Sequence, residues 1–147
     1  MKAIARSLLV LCAAVVVPGC SSSSEPSSEK GKAACYETEF GALPSASVTN
    51  IQAKQVMIGD AARAWLRFEA TPEIVDSLLK RFAPSDRYTF DGNSGGGNTP
   101  SWWKPGNDHL TAFYEAEGWR KDFGGSHAVI AHDAGKRLVY FCHSASD

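Results

Sequence analysis

The stretch that decides the fold is residues 62–82, which read ARAWLRFEATPEIVDSLLKRF. Its first half, residues 62–70, alternates between small or apolar side chains and large or charged ones. A period of two with one apolar face is typical of a half-buried β-strand. The apolar face carries Leu66 and Phe68, and the opposite face carries Arg63, Trp65 and Arg67.

The second half of this stretch has the signals of a helix. Thr71 suits the N-cap, Pro72 the first helical position, and Glu73 the positive end of the helix dipole. Pro84 is expected to end the helix. Residues 72–82 are therefore predicted to form a helix that packs on the sheet through an apolar stripe of Ile74, Val75, Leu78, Leu79 and Phe82.

Further strand patterns lie on both sides of this stretch. Residues 51–58 are predicted to pair with it through a tight turn at Gly59-Asp60. Residues 110–118 fit a strand or a helix, and we interpret them as a strand. Residues 126–132 and 137–143 form a predicted hairpin, with Gly135 in the left-handed position of its loop. The predicted fold class is α+β, an antiparallel sheet of about five strands in the order β-β-α-β-β-β with one helix packed on a face.

Composition limits the possible functions. The chain has 147 residues, 44% of them hydrophobic, and a formal net charge of −1, which fits one globular domain. Nucleic-acid binders carry a concentrated basic surface, so no nucleic-acid partner is expected. The sequence has no apolar run of the ~20 residues that a membrane-spanning helix needs. No cofactor is expected.

The amino terminus has the pattern of an export signal. Lys2 and Arg6 precede an uncharged apolar run over residues 7–17, as in a secretory signal peptide. The sequence that follows, Val17-Pro18-Gly19-Cys20, resembles the lipobox of bacterial lipoproteins. The resemblance implies cleavage between Gly19 and Cys20, a diacylglyceryl group on the Cys20 thiol, and a fatty acid such as palmitate on the new amine.

The same resemblance implies a location in the cell envelope. Ser21, not Asp, follows Cys20, and in an organism with two membranes this implies the outer one. A plain cleaved secretion signal is the alternative. The predicted organisation is a signal peptide over residues 1–19, a lipidated Cys20 with a flexible Ser-rich tether over 20–33, and one α+β domain over 34–147. A polar, Ser-rich segment lacks the apolar surface that would order it, so the tether is expected to hold the domain away from the membrane.

Two cysteines remain after this processing, Cys35 and Cys142. In an oxidising compartment such a pair is expected to form a disulfide. Two buried free thiols, or a reactive Cys142 beside His143, are the alternatives.

Residues 91–108 have no secondary-structure pattern, and connections this long tend to be functional or disordered. Trp102 and Trp103 lie between Pro100 and Pro105, which restrict the backbone. Two indoles on a stiff loop suit a sugar ring or a protein hot spot. They could instead fold back and close the open end of the domain. The row Arg63, Trp65 and Arg67 is a second candidate binding surface, unless a helix or loop covers it.

The four histidines carry no known catalytic or metal-binding motif. The preferred hairpin register places His127 and His143 on one face and His132 on the other. The favoured function is a lipid-anchored envelope protein whose non-catalytic domain binds a protein or a cell-wall component such as peptidoglycan through the Trp102/Trp103 loop. The alternative is a small periplasmic hydrolase or metal-binding protein that uses His127 and His143.

Overall fold

The computed structural model describes residues 21–147. The predicted signal peptide, the cleavage site at Gly19 and the lipidation site at Cys20 lie outside the described residues. The described part folds into a seven-stranded antiparallel sheet with three α-helices. The α+β class is confirmed, while the sheet has more strands, and the chain more helices, than the predicted five and one.

The elements follow a simple topology in which every pair of neighbouring strands is antiparallel. The strand order across the sheet is β1-β2-β3-β7-β6-β5-β4. The strands are β1 (Ser21–Ser24), β2 (Thr49–Ile58), β3 (Ala61–Glu69), β4 (Ala83–Pro84), β5 (Leu110–Glu117), β6 (Gly125–Asp133) and β7 (Leu138–Ser146). The helices are α1 (Glu29–Phe40), α2 (Pro72–Leu79) and α3 (Arg87–Ser94), with a short 3-10 turn at Pro105–Asn107.

The stretch with the clearest pattern folds largely as predicted. Strands β2 and β3 pair around a turn in which Gly59 has a φ of 60°, and α2 begins at Pro72 after the N-cap Thr71. The helix ends at Leu79, three residues before the predicted end. Residues 83–84 pair with β5 instead, so the chain must already be turning towards the sheet. Residues 110–117 form a strand, which confirms the prediction for this segment.

Much of the segment predicted to be a flexible tether, residues 20–33, has regular secondary structure in the described part of the chain. Ser21–Ser24 pair with the end of β2, and α1 begins at Glu29, with the Ser28 hydroxyl accepting a hydrogen bond from the Gly31 N–H at 3.2 Å. Gly41 ends this helix in the left-handed conformation, with a φ of 81°. Strand β1 is held by backbone hydrogen bonds rather than by apolar side chains, so its composition carried no signal of order.

The sheet is covered on both faces, and each face has its own core. Helices α1 and α2 cover one face, called here the α1 face, whose core includes Tyr36, Leu66, Phe68, Val75, Ile130 and Phe141. Helix α3 and the segment after it cover the other face, called here the α3 face, whose core includes Trp65, Phe90, Trp103, Val129, Tyr140 and Cys142.

The expected disulfide is not formed. Cys35 and Cys142 are both free and buried. Cys35 belongs to the core of the α1 face and Cys142 to that of the α3 face, so the sheet separates the two thiols. Burial raises the pKa of the Cys142 thiol to about 12, which leaves it an unreactive core residue rather than a nucleophile.

The predicted C-terminal hairpin is present as β6 and β7, but its turn differs in one residue. Lys136, with a φ of 49°, takes the left-handed position that was expected of Gly135. The Asp133 carboxylate accepts hydrogen bonds from the backbone N–H groups of Arg137 and Leu138 at 2.7 and 2.9 Å. This carboxylate, rather than a glycine, fixes the turn.

Candidate functional site

A groove of about 530 Å³ opens on the α3 face, at the end of the sheet beside the β2–β3 turn. The strand registers explain why it exists. The outermost cross-strand row on this face has small residues at its centre and runs Ile58, Ala61, Ser146 and Gly125. The next row inward is larger and mostly polar, and runs Val56, Arg63, Ser144, His127 and Glu117. The small side chains of the outermost row leave the space for the groove, and the next row supplies its polar and charged groups.

Arg63 is the positively charged residue of the groove, and its contacts with Asn93 and Trp65 hold it in place. Its guanidinium donates to the backbone oxygen of Asn93 and lies 5.2 Å from the centre of the Trp65 ring. A Cβ atom at Gly96, where φ is +109°, would lie only 3.0 Å from Arg63 Nη1, so the backbone approaches the guanidinium closely. The buried Nε atom has no hydrogen-bond partner among the described residues. Arg63 therefore places a fixed positive charge in the lining of the groove.

Glu117 lies at the opposite end of the same row, and Glu115 lies nearby on β5 outside the groove lining. His127 Nε2 is 3.2 Å from Glu115 Oε2 and 3.7 Å from Glu117 Oε1, and the Glu117 side chain is 82% exposed. His127 lies two strands from Arg63 and Glu117 three, so at ~4.8 Å per strand the spans are roughly 10 and 14 Å. The groove thus has the Arg63 cation on one side and the Glu117 carboxylate on the other.

Of the predicted row Arg63, Trp65 and Arg67, only Arg63 brings a charged side chain to the groove. Trp65 forms part of the groove lining but is fully buried, and its Nε1 donates to the Ser94 oxygen at 2.8 Å. Arg67 lies further along the strand and donates to the Tyr140 hydroxyl at 3.0 Å. Burial and the hydrogen bond to Asp108 raise the pKa of Tyr140 to about 12. The alternative interpretation, a face covered by a helix and a loop, is correct for Trp65 and Arg67.

The two indoles of the predicted Trp102/Trp103 binding loop also pack against other parts of the domain instead of facing a ligand. Trp103 is 8% exposed, with its ring centre 4.9 Å from that of Tyr140 and 6.1 Å from that of Phe90. Trp102 is half-buried, and its Nε1 donates to Glu25 Oε1 at 2.7 Å. The indoles close the end of the α3-face core, and the supposed loop begins inside α3.

The histidines do not form a common site. The β6–β7 register pairs His127 with Ser144 and His143 with Ala128, so His127 points to the α3 face and His143 to the α1 face. His132 is buried, and its Nδ1 lies 2.7 Å from the backbone oxygen of Asp133. Within residues 21–147 there is no group of three or more His, Cys, Asp or Glu side chains that could hold a metal ion.

A second polar cluster lies on the α1 face, and sequence reasoning missed it because α1 was not predicted. Glu39 of α1 is 3% exposed and His143 is 2% exposed. Glu39 Oε2 lies 2.8 Å from His143 Nδ1 and accepts from Trp119 Nε1 at 3.3 Å. The 2.8 Å approach is an ion-pair distance, but the ring nitrogen is not aligned for a hydrogen bond.

This Glu39–His143 cluster borders a cavity of about 210 Å³, which Ser22 and Ser24 of β1 also line. His143 Nε2 is buried and has no hydrogen-bond partner in the described part of the chain. A histidine oriented by a carboxylate can act as a general base when its other nitrogen meets a substrate or a water molecule. The cluster therefore has the parts of an acid–base pair, at a place where β1 and α1 restrict access.

The fold and its cavities define a small α+β domain with an open, ligand-sized groove on one face and a buried carboxylate–histidine pair on the other. Comparison with protein-family models, with curated proteins and with solved structures gave no match. Among the helices of residues 21–147, none is long and apolar enough to cross a bilayer.

Proposed function

We propose that this protein is a lipid-anchored protein of the cell envelope whose domain binds a ligand without catalysis. The lipobox-like sequence Val17-Pro18-Gly19-Cys20 supports anchoring through Cys20, and Ser21 supports the outer membrane in an organism with two membranes. The ligand site is the groove on the α3 face. Arg63 takes the contact role that the sequence analysis gave to Trp102 and Trp103.

The observation that carries this proposal is an open groove of about 530 Å³ whose lining includes the half-buried cation Arg63. Ligand sites typically measure about 300–1,000 Å³ and combine apolar walls with a few placed polar groups. Val56, Ile58 and Ala61 supply apolar lining, and Arg63 supplies a positive charge. The groove suits a ligand that carries an anionic group next to an apolar part.

The proposal is tested by photo-crosslinking in cells, with a benzophenone amino acid in place of Ile58 in the full-length protein. Ile58 lines the groove and is 54% exposed, so the substitution leaves the core intact. The matched control carries the same probe at Tyr88, which is 88% exposed on α3 and does not line the groove.

We expect a discrete adduct from position 58 and none from position 88. A heavier protein band, a wall-retained species or a lipid-sized mass increase would each identify the class of ligand. A folded, membrane-associated Ile58 variant that yields no adduct would contradict the proposed binding function.

A second candidate function rests on the Glu39–His143 cluster, which replaces the predicted pairing of His127 with His143. The 2.8 Å separation and the unpartnered Nε2 atom favour a general base. The test is hydrolysis of 4-nitrophenyl acetate by the full-length protein. Activity that is lost in His143→Gln but kept in His127→Gln would support a small hydrolase, and equal rates in both variants would exclude it.

A further inference from the structure

We propose that strand β1 is a gate over the Glu39–His143 cluster, and that the His143 imidazole becomes accessible when β1 leaves the edge of β2. This inference goes beyond both candidate functions, because it concerns access to the cluster and holds whatever the cluster does. The cavity behind β1 measures about 210 Å³, which is below the ~300 Å³ of the smallest drug-sized ligand sites. The gate therefore admits small polar molecules rather than polymers.

A continuous path leads from β1 to the imidazole. One cross-strand row on the α1 face runs from the edge of the sheet to the cluster and consists of Ser24, Gln55, Ala64 and His143. Because Ala64 is small, it leaves space between the edge of the sheet and the imidazole. Ser22 and Ser24 line the cavity at the edge, and His143 lines it at the inner end. Departure of β1 would therefore open the cavity from the edge.

Of the two elements that cover the cavity, helix α1 is firmly packed. Cys35 and Tyr36 are buried in the core of the α1 face, and the Tyr36 ring centre lies 5.3 Å from that of Phe68. Movement of α1 would expose this apolar surface to water, which costs free energy. Opening is therefore expected at β1 and not at α1.

Strand β1 is held more weakly. It forms the edge of the sheet, where it pairs with β2, and its residues 22–24 are exposed serines. Backbone hydrogen bonds at the edge, rather than buried apolar side chains, attach it to the domain. Segments with few buried apolar contacts and with solvent-exposed backbone hydrogen bonds open at the lowest free energy.

A hinge for this movement lies directly after the strand. Glu25 Oε1 accepts a hydrogen bond from Trp102 Nε1 at 2.7 Å. Pro26 packs against α1 so closely that a Cβ atom added at Gly31 would lie 2.7 Å from Pro26 Cβ. These contacts hold the chain where β1 ends, so β1 can leave β2 as a flap while α1 stays in place.

The inner end of the cavity needs a molecule that enters through the gate. His143 is 2% exposed, and its Nε2 atom has no hydrogen-bond partner among residues 21–147. A buried polar atom without a partner is destabilising unless water or a ligand supplies one. Since the cavity borders this ring, the molecule that pairs with Nε2 has to pass β1.

The experiment is modification of the full-length protein by diethyl pyrocarbonate, which transfers an ethoxycarbonyl group to an unprotonated imidazole nitrogen. Peptide mass mapping gives the rate at each histidine. His109 is exposed and reports the activity of the reagent. His132 is 4% exposed on β6, far from β1 in the strand order, and reports unfolding of the whole domain. The rate at His143, relative to the rates at these two residues, measures the gate.

A disulfide is expected to close the gate. Ser22 and Met57 are direct cross-strand partners, and such partners have Cα atoms about 4.5–5.5 Å apart, which is within the range of a disulfide. In the oxidised Ser22→Cys/Met57→Cys variant, we expect His143 to react at least about 10-fold more slowly than in the same variant after reduction. The reduced form is the matched control because it differs only in the crosslink.

A pair of prolines is expected to open the gate. Hydrogen-bonded and non-hydrogen-bonded residues alternate along an antiparallel strand, so Ser23→Pro/Ser24→Pro removes a hydrogen bond to β2 whichever of the two residues donates it. We expect faster modification of His143 in this variant and an unchanged rate at His132.

Three outcomes would overturn the inference. Equal rates at His143 in the oxidised and reduced forms, or no modification of His143 in the proline variant, would show that β1 does not control access. A parallel increase at His143 and His132 would assign the change to unfolding of the domain. Since no step involves the groove on the α3 face, each of these outcomes leaves the proposed binding function in place.

Discussion

The strongest energetic prediction concerns Glu39, because its carboxylate is buried among donors that have few other partners. Replacement of Glu39 by Ala removes the acceptor for Trp119 Nε1 at 3.3 Å and for Gln55 Nε2 at 3.5 Å, and it removes the carboxylate that lies 2.8 Å from His143 Nδ1. Each buried donor left unsatisfied costs about 1–3 kcal/mol. We expect Glu39→Ala to lower the free energy of unfolding by about 1–3 kcal/mol, because Trp119 Nε1 loses its acceptor.

The measurement is chemical denaturation of the wild type, Glu39→Ala, His143→Ala and the double variant. A contact between the two side chains predicts a coupling energy of about 0.5–3 kcal/mol, so that the double variant loses less stability than the two single variants together. Glu37→Ala is the matched control, because Glu37 is exposed on the same helix, and its effect should stay within about 0.5 kcal/mol.

Two results would refute this reasoning. If the coupling energy is zero within error, Glu39 and His143 do not interact in solution and the 2.8 Å approach has no energetic meaning. If Glu39→Ala is no more destabilising than Glu37→Ala, the carboxylate is not buried, and α1 does not pack on the sheet as described.

Three further predictions concern the corrected assignments and the β6–β7 turn. Trp103→Ala should destabilise the protein by about 3–5 kcal/mol, as for other buried aromatic residues, while Trp102→Ala should cost clearly less in the same denaturation assay. Cys35 and Cys142 should resist maleimide in the folded protein, and both should react after unfolding without reductant, as followed by intact mass. Asp133→Asn should cost about 1 kcal/mol at pH 7. Although burial raises the pKa of Asp133, backbone N–H groups of the turn outweigh it and lower that pKa. The stabilisation is therefore present above the unfolded pKa of about 3.9 and is lost as the pH falls through the folded value, so thermal unfolding near pH 2 should show a smaller difference.

Where the hydrophobic pattern of the sequence is strongly periodic, it predicted the secondary structure well. The alternation over residues 62–70 and the helix signals at Thr71-Pro72 identified β3 and the start of α2, because both depend on local patterns. The pattern did not reveal that both faces of β3 are covered. Arg63, Trp65 and Arg67 resemble a solvent-exposed face in the sequence, but Trp65 is fully buried because a non-local element, α3, packs over it.

Helix α1 and strand β1, which the sequence did not predict, have little periodicity in their apolar residues. Helix α1 has the signals of a cap at Ser28 and a stop at Gly41, but the polar sequence before it suggested a linker. Strand β1 consists of four serines and is ordered by backbone pairing alone. Because Glu39 lies on α1, the buried carboxylate–histidine pair could not be predicted without this helix.

The histidine assignment failed for a different reason, which is strand register. The prediction that His127 and His143 share a face depended on the length of the hairpin loop. Because successive side chains of a strand point to opposite faces, a shift by one residue exchanges the faces. The structure pairs His143 with Ala128, and this pairing is enough to place the two rings on opposite sides of the sheet.

The end of the sheet beside the β2–β3 turn is built differently from the rest, and the difference bears on function. On the α1 face, the equivalent cross-strand row also has small residues at its centre. It runs Met57, Ala62, Ala145 and Ser126. The sheet is therefore thinly packed on both faces at this end, and each face has a cavity there. A sequence selected for stability alone would fill these positions with large apolar residues, since close packing of a core adds stability. Departures from such packing are expected where function requires open space. In this chain they coincide with the charged Arg63 side chain, with His143 Nε2, which has no partner among the described residues, and with the strand that follows Cys20, so this end of the sheet is where binding experiments should begin.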